Sequence, residues 1–122
     1  MKNYFSKSKY CRLWQCPKML WMDKYKPEEN ADDARMEVGI EVGKLARELF
    51  GESVDVTETT NNQLDLPAMI ERTQVEIEHE TSVICEASFS YQGCYCAVDI
   101  LKREYNGWAI YEVKSSTVNK KI

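Results

Sequence analysis

The sequence predicts an α/β domain in which N-terminal helices pack on a small, mainly antiparallel β-meander. In the N-terminal half, apolar residues recur at helical spacing. In the C-terminal half, three runs rich in aromatic and β-branched residues are separated by the turn signals Gln92-Gly93 and Asn106-Gly107. The length of 122 residues suits one domain, which we take to span residues 1–122.

Composition narrows the class of protein. No apolar run approaches the ~20 residues that cross a bilayer, and the N-terminus lacks the apolar region of a signal peptide. The five cysteines are odd in number, which favours reduced thiols over a disulfide framework. We therefore expect a cytoplasmic protein with no membrane partner. The net charge of −4 argues against general nucleic-acid binding but allows a local basic groove near the N-terminus.

Two helical segments are expected first. Either Ser6 or Ser8 suits the N-cap of the first helix, and Pro17 suits the first turn of a second. The aromatic and cysteine side chains of this region are expected in the core, although a base-stacking role for the aromatics is the alternative. These side chains are Tyr10, Cys11, Trp14, Cys16 and Trp21.

A stronger third helix is predicted over about residues 33–50, ending at Gly51. Its expected inner stripe comprises Met36, Ile40, Gly43, Leu45 or Ala46, Leu49 and Phe50. Gly39 and Gly43 lie on one face, and each costs about 1 kcal/mol relative to alanine inside a helix. Close backbone packing at the two glycines is the expected reason for this cost.

A polar stretch with one short strand, residues 53–56, is expected next. Asp65 suits the N-cap of a helix that reaches about His79. The three long strands are then predicted over residues 82–91, around Asp99, and over residues 107–116. The chain ends soon after the last strand with no closing element, so we expect an incomplete domain of a longer protein.

Charged residues interrupt these strands. Asp99 lies in an apolar run, and Glu112 and Lys114 share one strand face while Val113 points to the other. Buried charges are costly unless they pair or bind a metal. With Glu86, the carboxylates offer hard oxygen ligands suited to Mg²⁺ or Mn²⁺. A surface meander whose charges face water is the alternative.

These residues, in this order, resemble the active-site core of the PD-(D/E)XK nuclease superfamily. The segments that carry the resemblance are Glu86, Val98-Asp99-Ile100 and Glu112-Val113-Lys114-Ser115-Ser116. The chain is most similar to the RecB-like branch, which contains CRISPR-associated Fe–S exonucleases and a related bacterial family of unknown function. Residues 10–21 resemble the cysteine-proline opening of those exonucleases, and residues 43–47 resemble their Gly-x-x-x-His helix. The resemblance implies a restriction-endonuclease-like core.

The resemblance also implies roles for individual residues. Asp99, Glu112 and the carbonyl of Val113 correspond to metal ligands, Lys114 to the catalytic lysine, and Glu86 to an auxiliary catalytic carboxylate. Cys16 corresponds to the first of four cysteines that bind an Fe–S cluster. The other three have no counterpart in this chain, so no cluster is expected here.

One helix position departs from the family pattern. Arg47 stands where the family has histidine, which removes one ligand and offers a cation to Glu86, Asp99 or a phosphate. Together with Arg12 and Lys18, it is a candidate for contacts with nucleic acid.

The expected function is therefore that of a metal-dependent, exonuclease-like enzyme that hydrolyses DNA phosphodiesters by attack of water. Its expected partners are DNA and either the rest of the parent protein or a second copy of the chain. The alternatives are a catalytically inactive nuclease fold that binds nucleic acid or protein, and a small structural α+β domain with no site.

Overall fold

The computed structural model describes residues 4–26 and 33–114, with side chains from residue 38 onward in the third helix, and it has a mixed α and β fold as predicted. The helices are α1 (Lys7–Gln15), α2 (Pro17–Tyr25), α3 (Asp33–Glu48) and α4 (Leu66–Glu78). The strands are β1 (Phe5–Ser6), β2 (Val54–Asp55), β3 (Thr59–Thr60), β4 (Gln63–Leu64), β5 (Val83–Tyr91), β6 (Cys94–Glu104) and β7 (Gly107–Tyr111). None of the described helices is both long and apolar enough to cross a membrane.

The long strand β6 organises the main sheet. β5 pairs antiparallel along one side of β6, and β2 pairs parallel with the far side of β5. The other side of β6 is shared by β1, which pairs at its start, and β7, which pairs from Ile100 to Glu104. Between these two partners, residues 96–99 of β6 face no described strand on that side. The antiparallel meander was predicted, whereas the short strand β1 and the β3–β4 hairpin were not.

Local signals set most helix ends where the sequence predicted them. The Ser6 hydroxyl accepts the Lys9 N–H at 3.2 Å and caps α1, and Pro17 opens α2. Asp65 caps α4 through the Ala68 N–H at 3.1 Å. Gly51 follows α3 with a φ of 74°, a left-handed conformation that glycine adopts without steric cost.

The two faces of the sheet carry separate apolar clusters. Val56, Ile84, Ala87 and Leu101 pack together on one face, with Ile77 of α4 against them. Val83, Cys85 and Ile100 pack on the other face, where they meet two residues near the end of α3, Ala46 and Phe50, and also Val113. The sheet is therefore a middle layer between α4 and α3.

The inner stripe predicted for α3 is confirmed at Ala46 and at Phe50, which lies just beyond the end of the helix, because both contact the core. It is wrong at Ile40 and Leu49, which are exposed; the Met36 side chain lies outside the described residues. Close backbone packing at the two glycines is also wrong, since a Cβ at Gly39 or Gly43 would meet nothing within 4 Å.

The core positions predicted for the N-terminal hairpin are also wrong. Tyr10, Trp14, Trp21 and Cys11 are exposed, and Cys16 is half-buried at the start of α2. The physical reason is that, within the described residues, α1 packs mainly on α2, β1 and β6, and these contacts leave most of its apolar side chains exposed.

The last strand is shorter and more exposed than expected. Its turn uses Tyr105 and Asn106, so Gly107 is already the first residue of β7. β7 ends at Tyr111, and residues 112–114 continue without ladder pairing, while residues 115 and 116 lie outside the described residues. Ile110 is largely exposed, so apolar residues in this strand do not indicate burial.

Candidate active site

The ladder between β5 and β6 is interrupted at one position, and the two predicted carboxylates lie there. Cys85 pairs with Ile100 and Ala87 pairs with Val98, but no pair is formed between Glu86 and Asp99. Glu86 has a φ of 60°, which is unusual for a residue other than glycine and costs about 1–3 kcal/mol. Strain of this kind clusters at functional sites.

The interruption changes which face of the sheet the side chains reach. Ile84 and Ala87 lie in the same apolar cluster although they are three positions apart, so the alternation of β5 shifts at Glu86. Regular alternation would have pointed Glu86 toward the α4 face. Instead, Glu86 and Asp99 both line a cavity of about 350 Å³ beneath α3, which we call the α3 cavity. The rest of its lining is partly apolar, from Ile40 and Ile100, and partly polar or backbone, from Gly39, Gly43, Lys44, Arg47 and Val113.

Arg47 bridges two carboxylates beside this cavity. Its Nη1 lies 2.8 Å from Asp55 Oδ2 and its Nη2 lies 3.3 Å from Glu86 Oε1. The sequence left open a pairing of Arg47 with Glu86 or with Asp99; Glu86 and the unforeseen Asp55 are its partners. A signal for Asp55 was present, because it lies in a Val-Asp-Val run much like the one around Asp99.

The two partners of Arg47 have opposite pKa shifts. Burial, with the neighbouring Asp99 charge second, raises the pKa of Glu86 despite the opposing effect of Arg47. Burial also disfavours ionised Asp55, but hydrogen bonds from Thr57 and the Arg47 charge outweigh it and lower the pKa of Asp55. Glu86 is therefore the less well compensated carboxylate and the stronger candidate to attract a further cation.

Asp99 is also fixed by the segment that follows β7. Its Oδ2 accepts the backbone N–H of Val113 at 2.8 Å, and Val113 packs its side chain on the core cluster. As predicted, Glu112 and Lys114 then share the opposite face, with Lys114 Nζ 3.2 Å from Glu112 Oε1. The Glu-x-Lys segment is thus held against Asp99 by a backbone hydrogen bond rather than by strand pairing.

Glu112 and Lys114 line a second cavity, of about 810 Å³, in the gap that β1 and β7 leave along β6. We call it the edge cavity. Asp99 and Val113 line both cavities, so Asp99 lies between Glu86 on one side and Glu112 on the other. The predicted catalytic residues are brought together around Asp99, but they do not all share one cavity.

Lys7 is a site residue that sequence reasoning missed. Its Nζ lies 2.6 Å from Glu112 Oε1, across 105 positions of the chain. The hydrogen bond to Lys7, and then that to Lys114, lowers the pKa of Glu112, and the same contact with Glu112 raises the pKa of Lys7. No local pattern reveals a contact between residues so distant in sequence.

The remaining predicted site residues lie apart from Asp99. Arg12 pairs with Asp23 at 2.8 Å on the helical hairpin, Lys18 is exposed on α2, and Cys16 is the N-terminal cap residue of α2. The five cysteines are all free thiols.

The donor atoms suit a hard cation in their chemistry, but they are only partly assembled. Asp99 and Glu86 offer carboxylate oxygens to one cavity, whereas Glu112 is engaged by two lysines. Within residues 4–26 and 33–114, no three His, Cys, Asp or Glu side chains form a group that could hold a metal. Both lysines contact Oε1 of Glu112.

Comparison with known proteins adds no assignment, since no family model, no curated protein and no solved structure matches the chain. Function is therefore inferred from the residues and their geometry.

Proposed function

We propose that this chain carries the catalytic core of a metal-dependent DNA nuclease of PD-(D/E)XK type. The observation that carries the proposal is the interrupted pair Glu86–Asp99, which turns both carboxylates toward one cavity while a backbone hydrogen bond holds the Glu-x-Lys segment against Asp99. Asp99, Glu112 and the Val113 carbonyl would hold Mg²⁺ or Mn²⁺, with Glu86 as an auxiliary ligand. Such a metal neutralises phosphate charge and lowers the pKa of a bound water.

The chain's own residues supply the other requirements of phosphodiester hydrolysis. Lys114 is exposed and lies beside Glu112, where its ammonium can orient a water or stabilise charge that develops on the phosphate. Lys44 lines the α3 cavity and provides a further cation for the DNA backbone. Arg47 holds Glu86 and Asp55 and so fixes the position of Glu86 at the interruption.

A non-catalytic module that binds nucleic acid is the second candidate. The observation that favours it is the guanidinium of Arg47, which already balances Glu86 and Asp55 at the place where the resemblance implies a histidine ligand. An arginine cannot release its proton to become a metal ligand. This candidate keeps the basic surface of the fold but lacks metal-dependent cleavage.

Thermal unfolding with and without Mn²⁺ separates the two candidates. The nuclease proposal expects Mn²⁺ to raise the unfolding temperature of the wild-type chain, because a ligand that binds only the folded state stabilises it. Asp99→Asn should abolish this rise. Glu104→Gln is the matched control, since Glu104 is an exposed carboxylate at the last residue of β6, away from both cavities that Asp99 lines.

Cleavage of a labelled DNA oligonucleotide is the second measurement. Lys114→Met should lower the metal-dependent rate by about 100-fold or more while leaving the Mn²⁺ stabilisation intact. If Mn²⁺ stabilises wild type and Asp99→Asn equally, the proposed metal site is wrong. DNA binding that persists without any response to metal would establish the non-catalytic candidate instead.

A further inference from the structure

The helical hairpin α1–α2 exposes an unusual number of large aromatic side chains. The exposed fractions are 74% for Trp14, 59% for Tyr25, 52% for Trp21 and 50% for Tyr10. Single exposed apolar residues are ordinary, but a clustered aromatic surface on two short helices indicates a binding surface. We call this surface the aromatic hairpin.

The rings are arranged in two rows. The first row, which we call the α1 row, runs from Phe5 of β1 to Tyr10 and Trp14 of α1, with successive ring centroids 6.4 Å and 6.2 Å apart. On α2, Trp21 and Tyr25 lie 5.1 Å apart. The two rings of each helix are four residues apart and therefore share a helix face: Tyr10 with Trp14 on α1, and Trp21 with Tyr25 on α2. The rings of Tyr10, Trp14, Trp21 and Tyr25 are each at least half exposed, so flat partners can reach them.

The charge of the aromatic hairpin is opposite to that of the whole chain. Residues 4–26 contain six lysines and arginines and one acid, whereas the chain has a net charge of −4. That one acid, Asp23, pairs with Arg12. Lys24 lies with its Nζ 5.3 Å from the centre of the Tyr25 ring, so cations and rings are interleaved. Such a surface is complementary to an anionic ligand with flat groups.

Cavities connect this surface with the candidate active site. A mainly apolar cavity of about 320 Å³, the aromatic cavity, is lined by Phe5 and Tyr10 of the α1 row together with Phe89 and Tyr91. It shares Ser6, Lys7, Tyr95 and Cys96 with the edge cavity, which Asp99, Glu112 and Lys114 line at its other end. The α1 row and the residues around Asp99 thus border adjacent cavities.

We propose that the aromatic hairpin binds single-stranded DNA. Unpaired bases stack on Tyr10 and Trp14 and on Trp21 and Tyr25, while Lys9, Lys18 and Lys24 neutralise phosphates. A duplex cannot use the rings in this way, because its bases are already stacked on each other. The binding itself stands independently of catalysis; only the destination of the strand at Asp99 rests on the proposed nuclease function.

Binding of a fluorescent oligothymidine, measured in EDTA so that no cleavage occurs, tests the proposal. Trp14→Ala and Trp21→Ala should each weaken binding by about tenfold, since a base–aromatic stack contributes that much. Tyr105→Ala is the matched control, because Tyr105 is an aromatic residue 99% exposed on the β6–β7 turn, and it should leave the affinity unchanged. Both tryptophans are surface residues, so the variants keep the fold.

Tryptophan fluorescence provides a second readout of stacking. In Trp108→Phe, where Trp14 and Trp21 remain, oligothymidine should quench the emission. In the double variant Trp14→Phe and Trp21→Phe, where Trp108 remains, it should not. Replacing Lys9, Lys18 and Lys24 by glutamine should reduce the slope of log affinity against log salt by about 2.

Several outcomes would overturn the proposal. They are equal affinity for a duplex of the same length, tighter binding of oligouridine RNA, and emission shifts that appear with phosphatidylserine vesicles but not with DNA. Failure of the nuclease proposal looks different, because it removes the Mn²⁺ response in Asp99 variants and leaves oligothymidine binding in EDTA intact.

Discussion

The two faces of the main sheet differ in how completely they are covered. On one face α4 packs along β5, Met69 and Thr73 are buried, and Ile84, Ala87 and Leu101 close the cluster. On the other face the described side chains of α3 meet the core near the end of the helix, and its glycines stand over a cavity lined by charged residues. The face covered by α4 supplies most of the buried core. The face toward α3 can therefore tolerate the strained backbone of Glu86 and a carboxylate whose charge is only partly compensated.

The largest expected effect of this difference is on stability. Ile84→Ala removes a fully buried side chain on the α4 face and should lower the free energy of unfolding by about 2–5 kcal/mol. Ile40→Ala removes a side chain that lines the α3 cavity but is more than half exposed, and it should cost less than about 0.5 kcal/mol. Urea unfolding measures both. Similar losses in the two variants would contradict the described asymmetry.

The buried hydroxyl of Thr73 gives a second test of how firmly α4 is attached to its face of the sheet. Thr73 Oγ1 donates to the Met69 carbonyl and accepts the Ser88 backbone N–H at 2.9 Å, so it joins α4 to β5. Thr73→Val keeps the shape but leaves the Ser88 N–H without a partner, at a cost of about 1–3 kcal/mol.

Thr73→Ser is the matched control for that loss, because it retains the hydroxyl. Its unfolding free energy should stay closer to wild type than that of Thr73→Val. If the valine variant proved the more stable of the two in urea unfolding, the hydroxyl would not be the link between α4 and β5.

The sequence predicted the local features of both faces better than the long-range ones, for a physical reason. Caps and turns are local, so Ser6, Pro17, Asp65 and Gly51 mark helix ends in a way that any single segment reveals. The β5–β6–β7 meander follows from short connections between alternating strands. Its aromatic and β-branched runs specify strands without reference to the rest of the chain.

Contacts between segments that are distant in sequence could not be predicted from such local patterns. The parallel pairings of β1 and β2 join segments far apart in sequence, and Lys7 reaches Glu112 across most of the chain. The break in alternation at Glu86 depends on its left-handed backbone conformation, which its residue type does not predict. The exposed rows on the aromatic hairpin were mistaken for core because helical spacing of apolar residues is the same whether or not a partner covers them.

A smaller effect is expected where the open face borders α3. Gly43→Ala should raise the free energy of unfolding by up to about 1 kcal/mol, because alanine is the better helix former and the added Cβ meets nothing within 4 Å. Gly43→Trp should instead fill the α3 cavity. If that cavity holds the substrate, Gly43→Trp lowers DNA cleavage while circular dichroism remains unchanged. A destabilised alanine variant would show that α3 packs more closely than described.

The smallest effect is a difference in pH dependence between the two carboxylates that Arg47 joins. Asp55 has a lowered pKa in the folded chain, so its contribution to stability is present above the ordinary value of 3.8 and is lost as pH falls. Glu86 has a raised pKa, so its contribution is present below the ordinary value of 4.5 and is lost as pH rises through the folded pKa. Asp55→Asn should therefore destabilise mainly at neutral pH. Glu86→Gln should unfold at a higher temperature than wild type at neutral pH, and this advantage should vanish in acid. Parallel pH profiles for the two variants would mean that burial and the charge of Asp99 do not set Glu86 apart from Asp55.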